Sequence, residues 1–159
     1  FHSFTEALKR VLRQDPDIIM VGEMRDLETI AAALTLAETG HLIFGTLHTP
    51  SAVQTIDRIV DVFPPHQQNQ IRTQLSLSLK GIIAQCLIPC KNGGRVAQRE
   101  ILLNNTAVAN IIRDNRVQEL KSAIQTGVGE GMCTFERDAK RLYKAGDIDK
   151  ETYHWASEK

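Results

Sequence analysis

The sequence predicts an α/β fold. Residues 1–103 read as an α/β piece and residues 104–159 as a helical C-terminal subdomain. Three observations predict this. Ile18-Ile19-Met20-Val21 is a wholly apolar run, too short for a separate helix. A helical stretch ending at Gly40 follows it, and Leu42-Ile43-Phe44-Gly45-Thr46-Leu47 then reads as a second strand. Beyond Asn104 the texture changes to short helices.

Each element has a local reason. Ser3-Phe4-Thr5-Glu6 has capping-box form, with Phe4, Leu8, Val11 and Leu12 on one helical face. Asp15-Pro16-Asp17 breaks that helix, because proline disfavours helical geometry in the residue before it. Ile18 to Val21 is apolar on both faces, as expected of a buried parallel strand. Asp26 caps a second helix carrying Leu27, Ile30, Ala31, Leu34 and Ala37. Residues 17–47 are therefore strand, helix, strand, and a right-handed parallel crossover is the expected connection. Ser51 opens a helix with Val53, Ile56, Ile59 and Val60 on one face, stopped by Pro64-Pro65. A longer helix is expected over about His66 to Ile83. Ala84 to Ile88 and Val96 to Leu103 read as strands around the turn Asn92-Gly93-Gly94, a hairpin. Helices are then expected near 106–114, 116–126, 134–145 and 149–157, and there is no internal repeat.

Composition narrows the function classes. A chain of 159 residues is long enough for a real core. Lys plus Arg and Asp plus Glu both number 19, so no global electrostatic footprint of nucleic-acid or anionic-membrane binding is expected, although a local patch stays open. No apolar run approaches the roughly 18 residues of a membrane helix, and no signal peptide is visible. Cys86, Cys90 and Cys133 are an odd, low count that suggests a reducing compartment. The chain begins at Phe1 rather than methionine, directly ahead of a helix start, and reads as an excerpt from something longer.

The chemistry concentrates at the strand ends. In a parallel unit Glu23 and His48 leave the same carboxyl edge, where ligands bind in open α/β folds. An acid and a histidine in one crevice suit a metal-bound water and a phosphate. Alone, Glu23 is equally a solvated loop acid or a capping partner, Arg25 a surface ion pair, and His48 a hydrogen-bonded structural residue. The pair at one edge says more than either. His41 lies at the other end of the second strand, seven residues from His48 and about 20 Å away if extended. A structural or intersubunit role suits it better than a grip on the same phosphate.

Other constellations fail. A P-loop needs Gly-x-x-x-x-Gly-Lys-Ser/Thr, and no Gly-Lys dipeptide occurs in this chain. Gly127-Val128-Gly129-Glu130-Gly131 follows a helical segment, lacks lysine and carries an acid that repels phosphate, so it reads as a flexible connection. Cys86 and Cys90 have only Cys133 as a third thiol, short of the four ligands of a closed zinc site; reduced, partly buried thiols are the expectation. There is neither metalloprotease histidine spacing nor a Gly-x-Ser-x-Gly elbow.

These residues carry a family likeness. The chain resembles the C-terminal half of the twitching-motility PilT family, the type IV pilus retraction ATPases of the secretion superfamily. Residues 4–17 resemble the segment leading into the family's Walker B strand, and residues 21–29 resemble Walker B itself. Thr39-Gly40-His41-Leu42-Ile43-Phe44-Gly45-Thr46-Leu47-His48-Thr49 is similar to the His box, and residues 56–65 agree further. Ala107-Val108-Ala109-Asn110-Ile111-Ile112-Arg113-Asp114 is similar to the retraction motif Ala-Ile-Arg-Asn-Leu-Ile-Arg-Glu, with Ala109 in place of an arginine. By itself this stretch is an ordinary amphipathic helix. The four-cysteine motif frequent in secretion and extension ATPases is missing.

The resemblance implies the back half of a RecA-like P-loop ATPase core, with Walker B and the His box, and a helical C-terminal subdomain. The family's N-terminal domain, Walker A and Asp box would precede Phe1. It implies ATP and Mg2+ as cofactors, with Glu23 the catalytic carboxylate holding magnesium through water. It places His48, Arg25 and His41 among the ATP-binding residues, and Asn110, Arg113 and Asp114 in coupling. It also implies a cytoplasmic homohexamer, peripheral at the inner membrane, that acts on a membrane platform protein to retract pili, with no nucleic acid and no membrane insertion. Without a phosphate cradle, this chain alone is expected to be inactive. The alternatives are an extension or type II secretion ATPase, a non-catalytic assembly module of such a machine, and a nucleic-acid translocase.

Overall fold

The computed structural model of the protein describes residue 10 and residues 14–158. The capping box and apolar face expected at Phe4, Leu8, Val11 and Leu12 lie outside the described residues. Strand β1 (Ile18–Val21) pairs in parallel with β2 (Leu42–Gly45), Ile18 opposite Leu42 and Val21 opposite Gly45. Helix α1 (Leu27–Glu38) joins them, started by Asp26, whose carboxylate accepts from the Thr29 amide at 2.9 Å. Gly40 ends the connection with φ at 100°, a backbone state that glycine adopts without steric cost.

Strand β1 departs from expectation in its burial. Ile19 and Val21 pack against Leu36 of α1, but Ile18 and Met20 are exposed at 60% and 76%. A two-stranded sheet with a helix on one side buries only alternate residues. The second strand is also shorter than expected, ending at Gly45 rather than Leu47.

Helix α2 (Ala52–Asp61) begins at Ser51, whose hydroxyl accepts from the Gln54 amide, and α3 (Pro65–Ser78) begins on a proline at its first position. The helix expected to run to Ile83 stops at Ser78, and residues from Gly81 onward are strand. The Asn104 side chain explains the stop, because its amide donates to the carbonyls of Ser76 and Leu79, taking over the donor role of a further helical turn. The hairpin is therefore longer than expected: β3 (Gly81–Pro89) pairs antiparallel with β4 (Arg95–Leu103) along its whole length. Its turn uses Gly93 and Gly94, with φ of 88° and 77°.

Helices α4 (Thr106–Arg113), α5 (Leu120–Thr126), α6 (Phe135–Ala145) and α7 (Lys150–Ser157) complete the chain. The single helix expected over 116–126 opens instead as a 3-10 turn at Val117–Glu119. The glycine-rich connection is ordered as a second 3-10 turn, Gly127–Glu130. A Cβ on Gly127 would come within 2.6 Å of the Met132 sulfur, so the glycine serves close packing there rather than flexibility.

One apolar cluster joins Ile30 and Leu34 of α1, Ile56 and Val60 of α2, Leu75 of α3, Leu102 of β4, Ile112 of α4 and Leu120 and Ile124 of α5. Each such side chain contributes roughly 1.5–3 kcal/mol by leaving water. A smaller cluster of Ile88, Ala139, Leu142, Ile148 and Ala156 seats α6 and α7 on the hairpin. The architecture is α/β, with small parallel and antiparallel sheets among the helices. No helix among the described residues is long and apolar enough to cross a membrane.

Candidate functional site

The parallel pairing continues past the strands. The Met24 amide donates to the Thr46 carbonyl at 2.9 Å, and the Thr46 hydroxyl donates to the Gly22 carbonyl. These bonds zip the two outgoing segments together, so Glu23 and His48 emerge side by side. Gly45 permits this approach, because a Cβ there would lie 2.6 Å from the Met24 methyl.

Glu23 Oε1 lies 3.0 Å from His48 Nε2 and also pairs with Arg25 Nε. The Arg25 guanidinium, and after it His48, hold the Glu23 carboxyl below its ordinary range despite partial burial, and Glu23 in turn pushes Arg25 up. Both contacts fall on Oε1; Oε2 takes no hydrogen bond from the described residues, which leaves it to accept from a bound water. The three side chains line a cleft of about 630 Å³.

Sequence reasoning missed the opposite wall. Gln54, Asp57, Arg58 and Asp61 of α2 line the same cleft. Burial, helped by the Asp61 carboxylate, pushes the Asp57 carboxyl above its ordinary range, against the pull of Arg72. A signal was available: these four positions form the polar stripe opposite the apolar face of a helix that starts just after His48.

His41 goes elsewhere. Its Nδ1 lies 3.2 Å from the Leu36 carbonyl and 3.1 Å from the Thr39 hydroxyl, at the amino end of β2. It lines a separate, more apolar recess of about 1080 Å³. The structure brings Glu23, Arg25 and His48 together and leaves His41 out. Asn110, Arg113 and Asp114 sit at the end of α4, far along the chain. Arg113 donates to the Asn110 side-chain oxygen and approaches Asp114 at 3.9 Å, and Arg116 also pairs with Asp114 at 3.4 Å.

Among the described residues no three His, Cys, Asp or Glu side chains are grouped to hold a metal ion. A lone carboxylate here fits magnesium held largely through water and phosphate oxygens, not a protein cage. Cys86, Cys90 and Cys133, each half-buried, are not in disulfides among the described residues, and burial pushes the Cys133 thiol up.

Comparison with known proteins places this geometry in context. Residues 2–152 match the family model described as type II/IV secretion system protein. A Pseudomonas aeruginosa relative described as a type IV pilus retractation ATPase, PilT, is 55% identical over 93% of this chain and 43% of the relative. A Neisseria gonorrhoeae twitching motility protein is 52% identical over 94% of this chain and 40% of the relative. A solved structure of the pilus retraction motor PilT with bound ADP superposes with a TM-score of 0.86 at 51% identity, covering 99% of this chain and 44% of that one. The chain thus spans about two fifths of the length of these relatives.

Proposed function

The chain belongs to the type II/IV secretion system protein family, and on that premise we propose that it forms the back half of the ATPase core of a hexameric motor that retracts type IV pili. The reading of residues 1–103 as a partial RecA-like core and 104–159 as a helical subdomain belongs to the same proposal. One observation carries it: Glu23, Arg25 and His48 meet in one cleft at the carboxyl ends of two parallel strands. That is where open α/β sheets bind ligands.

In this reading the bound nucleotide and its magnesium supply the phosphoryl group and the charge neutralisation. Glu23 holds and orients a water through Oε2, and Arg25 keeps its carboxylate ionised. His48 donates toward the terminal phosphate. Phosphoryl transfer to water depends chiefly on positioning and electrostatics, which such a trio provides. His41, held at the far end of β2, takes a structural or intersubunit role rather than a direct phosphate contact. Asn110, Arg113 and Asp114 serve coupling at the end of α4. The motor is a cytoplasmic homohexamer, peripheral at the inner membrane, that acts on a membrane platform protein.

The testing experiment is a graft. This chain replaces the aligned segment of the Pseudomonas aeruginosa relative, and phosphate release, ATP-analogue binding and twitching are measured. A functional graft that keeps nucleotide binding but loses at least about a hundredfold in turnover with Glu23→Gln supports the proposal. Undiminished turnover with Glu23→Gln sinks it.

A further inference from the structure

We propose that Glu100 is a positioning residue for His48, acting through the first turn of α2. Its weight in catalysis rests on the ATPase reading above; the placement itself does not. The His48 side chain is 83% exposed, so no packing of its own holds the ring beside Glu23. Its position follows from the backbone on either side. On the strand side, the bonds of Thr46 to Met24 and Gly22 supply the anchor. On the helix side, the chain is held by the start of α2.

A helix start leaves amides without intrahelical partners. In α2 the Ser51 hydroxyl satisfies the Gln54 amide, and the Thr49 and Thr55 hydroxyls bond each other at 2.7 Å. The Ala52 amide is different. Ala52 is wholly buried, and its N–H donates at 2.8 Å to Glu100 Oε1, which reaches over from β4. Water has no access to replace that partner, so losing it leaves a buried donor unsatisfied. A carboxylate at this end also matches the helix dipole.

The site of Glu100 makes the assignment specific. Gln98, Glu100 and Leu102 share the inward face of β4, and all three are buried. A leucine or methionine would fill that position at lower desolvation cost, and a buried acid there needs a partner. Among the described residues its hydrogen-bond partner is the Ala52 amide. The strand that carries it is fixed independently of the cleft. Gln98 Nε2 donates to the Phe135 and Ala156 carbonyls at 2.8 and 3.0 Å, and the Arg99 amide donates to Asp138 at 2.8 Å. Glu100 thus ties the segment that carries an exposed histidine to a strand bonded to α6 and α7.

The test is heteronuclear NMR on this chain without nucleotide, so the outcome does not depend on whether the site hydrolyses ATP. Three signals are read, the Ala52 amide, the His48 ring and the Arg25 Nε–H, with the His66 and His154 rings as controls. Glu100→Gln keeps side-chain length and removes the charge; Glu100→Asp keeps the charge and withdraws it by one methylene. In either variant the Ala52 amide is expected to move upfield and the His48 and Arg25 signals to shift with it, while both controls stay. A shifted Ala52 amide with unmoved His48 and Arg25 signals overturns the proposal. If Glu100→Gln does not fold, Glu100→Asp gives the same reading. Failure here leaves the graft experiment untouched, and an inactive graft leaves this result standing.

Discussion

Glu23 Oε1 and His48 Nε2 lie 3.0 Å apart, although the two residues leave different strands. Parallel pairing and the Met24–Thr46 bond create the contact. Everything expected of the cleft depends on that proximity.

This chain alone should release phosphate from ATP no faster than background, because it contains no Gly-Lys-Ser/Thr cradle for the phosphates. A coupled phosphate assay on the purified chain, with and without magnesium, checks this. Magnesium-dependent turnover abolished by Glu23→Gln would show the expectation wrong.

Arg25→Ala should raise the titration midpoint of the Glu23 carboxyl. Arg25 depresses it in the folded state, so the stability this pair contributes is present above the ordinary glutamate range and is lost as pH falls through the folded midpoint. In the variant that contribution is smaller and its loss is complete at a higher pH. Carboxyl carbon NMR across an acid titration reads it directly, and an unchanged midpoint contradicts the assignment.

Asp57→Asn should act in the opposite direction. The raised carboxyl favours the protonated folded form, so its contribution to stability is present below the ordinary aspartate range and fades as pH rises through the folded midpoint. The asparagine variant should therefore match the parent in acid and exceed it near neutrality, by no more than about 0.5 kcal/mol at this half-buried position. Thermal melts at both pH values make the comparison.

Gln98→Leu should cost about 2–6 kcal/mol. The substitution fits the space but leaves the Phe135 and Ala156 carbonyls without their donor, each at roughly 1–3 kcal/mol. Urea unfolding should show a lower midpoint at unchanged slope. A loss below about 0.5 kcal/mol would mean that α6 and α7 are held by their apolar contacts alone.

Local signals were legible where the physics is local. Asp26 and Ser51 begin their helices as the sequence reads, since a cap depends on three or four consecutive residues. The shared edge of Glu23 and His48 was legible too, because strand–helix–strand admits few connections. Residues 79–83 misled, because Leu79, Ile82 and Ile83 suit a helix or a strand. Only Asn104, twenty-odd residues on, decides between them by capping the end of α3.

The sequence by itself determined the α/β order of elements, the acid and histidine at the strand ends, and the family likeness. All three are written in short spans or in a single crossover. Tertiary structure alone decided that α2 forms a wall of the cleft and that Glu100 holds Ala52. Those facts depend on contacts between residues far apart in the chain, and no local propensity encodes a hydrogen bond between positions 52 and 100.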